Sequence, residues 1–522
     1  MGEKSGIKIF YNGIIYSKYA PLTVAESIVT KDEKIEFVGS SDEAMKLYGK
    51  SAVSIVNLKG KAVGPGFVDS HIHPDDVGGS LNFLDLRGIN SIEEMKHRVR
   101  DYHHTNPGIR VIIGTGWDQE AFSEGRWPNR WDLDQVENSV PVYLERYCEH
   151  AGVINTKMLE LLRSNTFPDS IFPRSTTGDL SGVVKEEASG FFKEKALEIA
   201  GNLERNLVSA AQYLLSLGIT SVGFVFCSPE SVEFFAKEGK SLGIRVMAYL
   251  REDSMGRVDE LREKVGENSF LQINGIKLFA DGALGAGTAS LNEPYSDDPN
   301  NKGILYLDEK KLEKIFERFE GKNVQFAVHA IGDRGIDAVI RAVELTGRKN
   351  LVEPRIEHCT VLREDQISKL AEFEIGVSVQ PAFVIDDWWA VKRLGKERSR
   401  FSYPLGTLHR RGIKLGISTD SPVSIPDPWF TIDAAINRGE KEKREILKYS
   451  MDEKVDLATA LELYTAGSAS LLMCNEIGTL EVGKFADFVI LDKDPFKTSD
   501  LKSIRVLETV VGGITRFGKD ST

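Results

Sequence analysis

Nine histidines are spread over 522 residues, and two of them stand one residue apart in "GFVDSHIHPDD", Gly66 to Asp76. The stretch follows a Gly-Pro-Gly turn and reads as a short apolar strand with a polar end. Alternate side chains of a strand share a face, which sends His71 and His73 the same way with Asp69 on their side. Two neighbouring imidazoles are half of a transition-metal site, or two ordinary surface histidines. Four more polar residues close apolar runs elsewhere: Lys277 in "INGIKLFADGA", His329 in "VQFAVHAIGD", His358 in "EPRIEHCT" and Asp420 in "IKLGISTDSP". Three of these have an ordinary alternative. His329 suits a core position, Lys277 an ion pair with Asp281, and Asp420 a turn or helix N-cap. Only a metal site accounts for all six together.

These residues need a scaffold that brings distant chain segments to one place. Strand and helix signals alternate through the middle of the chain, the pattern of parallel βα units. Eight strands are expected: 66–73, 218–226, 243–250, 274–280, 323–330, 353–359, 375–380 and 413–420. Eight repeats predict a closed (β/α)8 TIM barrel, whose chemistry sits at the C-terminal strand ends. There the six residues meet at one mouth. The ~145 residues between the first two strands exceed any ordinary loop and predict an α+β insertion over about 80–205. Within it, "SIEEMKHRVRDYHH" reads as a helix opened by a capping box of Ser91 and Glu94. Residues 1–63 and 475–522 share a texture of short strands and turns. Neither makes a good sandwich alone, so one composite β-sandwich is expected from both ends, with the barrel spanning 64–474.

Composition removes several classes. The chain carries 66 Lys and Arg against 78 Asp and Glu, a formal net charge of −12, with a pI near 5.5. Nucleic acid and anionic membrane reward clustered cations and are not expected partners. Cys148, Cys227, Cys359 and Cys474 form no C-x-x-C pair, which speaks against a disulfide framework or a cysteine zinc site. No run reaches 18 apolar residues, and the N-terminal stretch lacks a signal-like segment. A cytoplasmic enzyme is the expectation. A homodimer is compatible with it.

The stretches "PGFVDSHIH", "GTGWDQE", "IKLFADGALGAGTA", "VHAIGDRGID", "RIEHC", "STDSPV" and "IGTLEVGKFADFVILD" resemble the amidohydrolase superfamily. Within it they resemble the family-3 group that includes N-substituted formamide deformylases. The resemblance implies a barrel with a β-sandwich from both ends and one or two divalent metals, Zn²⁺ first among them. His71 and His73 would hold one with Asp420, and His329 and His358 the other. CO₂ bound as a carbamate on Lys277 would bridge them. A divalent cation lowers the pKa of a bound water from about 15.7 to about 7, and Asp420 would pass that water's proton to the leaving amine.

The expected reaction is hydrolysis of an amide-type C–N bond in a small molecule: an N-substituted formamide, an N-acyl compound or a cyclic amide. The alternatives are a deaminase acting on a ring amidine and a scaffold without catalysis. Deaminases of the superfamily usually carry a glutamate after the strand-5 histidine, and "VHAIGDRGID" has no H-x-x-E. A scaffold would have lost ligands. The glycines of "DGALGAGTA" lack the G-K-[ST] ending of a P-loop and suggest an active-site loop positioned by Asp281. Trp117, Asp118 and Gln119 are read as facing the substrate or as packing the insertion. His150 and Asn155 are candidates to line the site. Phe383, Trp388 and Trp389 would form an apolar wall or cover the rim.

Overall fold

All eight expected barrel strands form. In the computed structural model, which describes residues 6–148, 150–162, 166–201, 203–347 and 351–518, they are Phe67–Ile72, Ile219–Cys227, Arg245–Leu250, Leu271–Phe279, Gln325–Ala330, Val352–His358, Gly376–Val379 and Leu415–Ile417. They are called barrel strands 1 to 8 below. Neighbours pair in parallel and in sequence order. Strands 1 and 3 are buried at every residue, which is why they read as continuous apolar runs without alternation. Helices cover the outside. Pro229–Leu242 shows why they start and stop where they do: Ser228 caps its first turn, proline occupies the first position, and Gly243 at φ 77° ends it.

Backbone bonds close the seam between strands 8 and 1. Asp420 N donates to His71 O at 2.9 Å, and His73 N donates to Ser421 O at 3.0 Å. Asp69, expected beside the histidines, faces this seam instead: its carboxylate accepts from Thr419 Oγ1 at 2.7 Å and Tyr464 OH at 3.1 Å. Gly66 lets strand 2 close in, since a Cβ there would lie 2.2 Å from Thr220 Oγ1.

Both chain ends build the β-sandwich. One sheet orders Lys34–Gly39, Ser27–Lys31, Ile7–Tyr11 and Ala52–Asn57; the other orders Ile514–Phe517, Val506–Val511, Phe488–Leu491, Ala62–Pro65, Ile14–Tyr19 and Leu22–Ala25. The termini interleave, because Ala62–Pro65 pairs antiparallel with Phe488–Leu491. Phe10 and Phe488 meet edge to face at 5.0 Å within a core that includes Ile15, Ile28, Val63, Ile490 and Val510. The buried ion pair of Arg245 with Asp487, 2.6 Å, ties the start of strand 3 to the sandwich.

Asp75–Ala210 forms a second compact unit. Its five-stranded sheet runs Val183–Lys185, Ala151–Ile154, Val142–Arg146, Ile112–Trp117, Leu84–Asp85. Residues of helix Ile92–Thr105 share one core cluster with the sheet, and residues of helix Glu186–Ala200 share another. Ser91 caps the first helix through Glu94 N, but Glu94 reaches back to Asn90 N, so half of the expected capping box forms. Among the described residues, no helix is long and apolar enough to cross a membrane.

Candidate metal centre

The seam brings the first three donors together. His71 Nε2 and His73 Nε2 approach the same oxygen, Asp420 Oδ1, at 3.0 and 3.2 Å. On its far side, His71 Nδ1 meets Glu357 Oε2. A neutral His71 that donates from Nδ1 presents a lone pair at Nε2. In that tautomer a lone pair faces a carboxylate oxygen, an arrangement that a shared cation would stabilise. Ligand atoms of His71, His73 and Asp420 lie within 4.8 Å of one another, and neighbouring ligands of a tetrahedral Zn²⁺ shell stand about 3.3 Å apart. The donor set fits a divalent ion.

Strands 5 and 6 add the other imidazoles. Ring centroids run 5.5 Å from His73 to His71, 5.0 Å from His71 to His358, and 4.5 Å from His358 to His329. Each added ring has one nitrogen held by a partner. His358 Nδ1 meets Gln380 Oε1 at 2.9 Å, and Gln380 Nε2 donates to Ser418 Oγ, which orients the amide. His329 Nε2 meets Gly282 O at 3.2 Å. Among the described residues, the ligand atoms that converge within 4.8 Å are those of His71, His73 and Asp420, and His358 and His329 stand beside them ring to ring. Two of the six residues hold left-handed backbone, His358 at φ 74° and Asp420 at φ 55°. Such strain is uncommon in residues other than glycine and concentrates at functional sites. Strand 8 stops at Ile417, short of the expected end at Asp420.

The electrostatics keep donors in their binding forms. Burial pushes the His358 pKa down to about 3, with His71 and Lys277 adding to the effect against Asp420. Burial likewise holds His329 well below its usual range, helped by His358 and Lys277. Burial pushes Asp420 upward, yet the contacts with His71 and His73 outweigh it and hold the carboxylate well below its ordinary value. Lys277 is enclosed in the barrel, and its Nζ has no hydrogen-bond partner among the described residues. Burial lowers its pKa to about 8, despite Glu357 and Asp420.

Asp281 comes within 3.7 Å of His329 Nε2, but its hydrogen bonds go to backbone. It is fully buried and accepts from Ser290 N at 2.8 Å, Ile331 N at 2.9 Å and Gly332 N at 2.8 Å. It thereby pins the glycine-rich loop to the backbone just after His329. Phe383 stacks on His358 with centroids 6.3 Å apart and planes 10° from parallel. Trp389 packs against Leu284, Leu291 and Tyr295, whereas Trp388 is exposed.

Sequence reasoning assigned nothing to Glu357 or Arg355, both fully buried in strand 6. Arg355 Nε lies 2.7 Å from Glu357 Oε1. Burial would raise the Glu357 carboxyl, but Arg355, His71 and Lys277 hold it well below the usual carboxylate range. The available signal was period two: two opposite charges one residue apart in a strand buried on both faces.

The insertion residues have partners within their own unit. Trp117 is fully buried in the insertion core and donates from Nε1 to Leu144 O at 2.9 Å, as the packing alternative would have it. Asp118 caps a short helical turn through Glu120 N and pairs with Arg146 at 2.8 Å. His150 lies 3.2 Å from Glu186, and Asn155 caps the turn at Thr156 through Met158 N.

This arrangement has relatives. Amidohydrolase YtcJ of Bacillus subtilis is 28% identical, covering 97% of this chain and 98% of that protein. N-substituted formamide deformylase of Arthrobacter pascens is 23% identical, covering 94% and 95%. The crystal structure of an uncharacterized metal-dependent hydrolase from Pyrococcus horikoshii is 36% identical and superposes with a TM-score of 0.83, over 95% of this chain and 99% of that one. The pattern described as the amidohydrolase family matches residues 54–517. The barrel and the donor cluster fall within that span, as do the C-terminal strands of the sandwich, and the chain belongs to the amidohydrolase family.

Proposed function

We propose that this metal-dependent hydrolase cleaves an amide-type C–N bond of a small molecule, with Asp420 moving the proton. The observation that carries the reading is the carboxylate of Asp420, held at the barrel seam against two imidazoles and kept ionised there. His71, His73 and Asp420 would hold one cation and His329 and His358 a second. A bound divalent ion, Zn²⁺ by its fit to imidazole donors, supplies Lewis-acid polarisation of a carbonyl and makes water acidic enough to attack at neutral pH. Asp420 then accepts the proton of the attacking water and returns it to the departing nitrogen, which leaves as a neutral amine.

Lys277 suits conversion to a carbamate. With a pKa lowered to about 8, roughly one in ten such amines is uncharged at neutral pH, several hundred times the fraction of an ordinary lysine. The free amine adds to CO₂, forming one N–C bond and releasing one proton. The product is an anion where a cation was poorly solvated, and it would be shared by both metals.

Aromatic rings support a substrate with an apolar or aromatic group on nitrogen. Phe226, more than a third exposed, meets Phe279 at 5.6 Å, and Phe279 meets His329 at 5.3 Å. Phe383 stacks against His358. An N-substituted formamide is one such molecule, and a relative carries that activity in its name. The test is metal-reconstituted protein offered N-formyl, N-acyl and cyclic amides, with ring amidines alongside and elemental analysis of the same samples. Amide cleavage with one to two metal equivalents supports the proposal. Ammonia release from amidines alone, or turnover indifferent to strong chelators, overturns it.

A further inference from the structure

Strand 6 reaches the metal centre twice. His358 enters it directly, while Glu357, one residue earlier, touches the back of His71 on strand 1. Behind Glu357 stands Arg355, whose guanidinium lies 4.3 Å over the Tyr249 ring and donates to Ser70 O at 3.2 Å. Tyr249 in turn donates to Gln325 Oε1 at 2.5 Å. We propose that Glu357 is a positioning residue, fixing His71 with Nδ1 protonated and its Nε2 lone pair toward the cation, and that Arg355 holds this carboxylate in place. The inference rests on the metal-site reading above and extends it to residues that touch no metal.

The ordinary alternative is a buried ion pair that only fills the barrel. Barrel interiors are filled well by branched apolar side chains, and a buried pair often contributes no more stability than apolar residues of equal volume. Filling space would not require a carboxylate aimed at an imidazole whose other nitrogen faces Asp420. Carboxylates hydrogen-bonded to ligand histidines fix the ring and raise its basicity, and removing one typically costs 10–100-fold in metal affinity.

The experiment is chelator-competition titration of metal-free protein with Zn²⁺, and with Co²⁺ for its absorption spectrum. Glu357→Gln keeps volume and hydrogen-bonding capacity but removes the charge. The double variant Glu357→Gln with Arg355→Met leaves no unpaired buried charge and covers failure of the first to fold. The expected result is a 10–100-fold weaker equivalent of metal and an altered Co²⁺ spectrum in both variants, with the melting curve of metal-free protein little changed in the double variant, where no buried charge is left unpaired. A packing role would leave affinity and spectrum alone. Wild-type affinity in either folded variant overturns the inference while the metal centre stands. Failure of the wild-type protein to bind either ion overturns both.

Discussion

Asp281 offers a graded test of how the site is held. Its two oxygens accept three backbone N–H groups, with Oδ2 taking Ser290 N and Gly332 N and Oδ1 taking Ile331 N. Asp281→Asn can keep its oxygen at the doubly used position, leaving an amide N–H facing Ile331 N–H. One buried donor then goes unsatisfied, at about 1–3 kcal/mol. Asp281→Ala strands all three, or about 3–9 kcal/mol on the same scale before any water enters. That approaches the whole stability of a typical domain.

Gly335→Ala reaches the same carboxylate from outside, because a Cβ there would lie 2.8 Å from Asp281 Cγ and Oδ2. Overpacking of this kind costs about 1–3 kcal/mol. Denaturant midpoints should rank wild type first, then Asp281→Asn and Gly335→Ala together, then Asp281→Ala. Turnover should fall in the two mild variants while they remain folded, because the released backbone follows His329 directly and the loop contains its partner Gly282 O. An Asp281→Ala protein within about 0.5 kcal/mol of wild type would refute the reasoning, since that is the range of substitutions that touch nothing. So would an Asp281→Asn change as damaging as Asp281→Ala.

Asp420→Asn should lower kcat by about 10²–10⁴ or more in a folded protein, since it removes an acid–base group and a ligand together; near-normal turnover in steady-state assays would move the proton transfer elsewhere. Lys277→Ala should lose most activity and regain part with small carboxylates, and wild-type reconstitution should proceed further with bicarbonate than without CO₂, as read by metal content. Phe226→Ala should raise KM for substrates with an aromatic N-substituent and leave N-methyl analogues nearly unchanged; equal effects on both would remove the aromatic path from recognition. For pH, His358 has a folded pKa of about 3 against an ordinary 6.5. Between these values the unfolded chain accepts a proton that the fold refuses, so stability is lost as pH falls from about 6.5 toward 3 and unaffected above. Metal-free wild type should therefore lose more stability over that interval than His358→Gln, and parallel curves would contradict it.

The parts legible in sequence share one cause, short range. Each barrel strand is an apolar run bounded by turn residues, and a ligand at its end is a polar residue closing that run. His71, His329 and His358 are visible on that basis. Contacts set by closure are not. Nothing local says that strand 8 lies beside strand 1, yet that seam delivers Asp420 to His71 and turns Asp69 away toward Thr419 and Tyr464. Trp117 sits beside an acidic neighbour in a motif that reads as a binding element, while its indole packs the insertion core. Arg355 and Glu357 show the same limit most clearly. Charges in a strand ordinarily signal a solvent face, and in a closed barrel with both faces covered they signal the reverse. A buried carboxylate needs a reason to stay charged, and here the reason is supplied by an arginine two residues away and a histidine nearly three hundred residues distant. The ligands can be read one strand at a time, but what aims them belongs to the closed barrel.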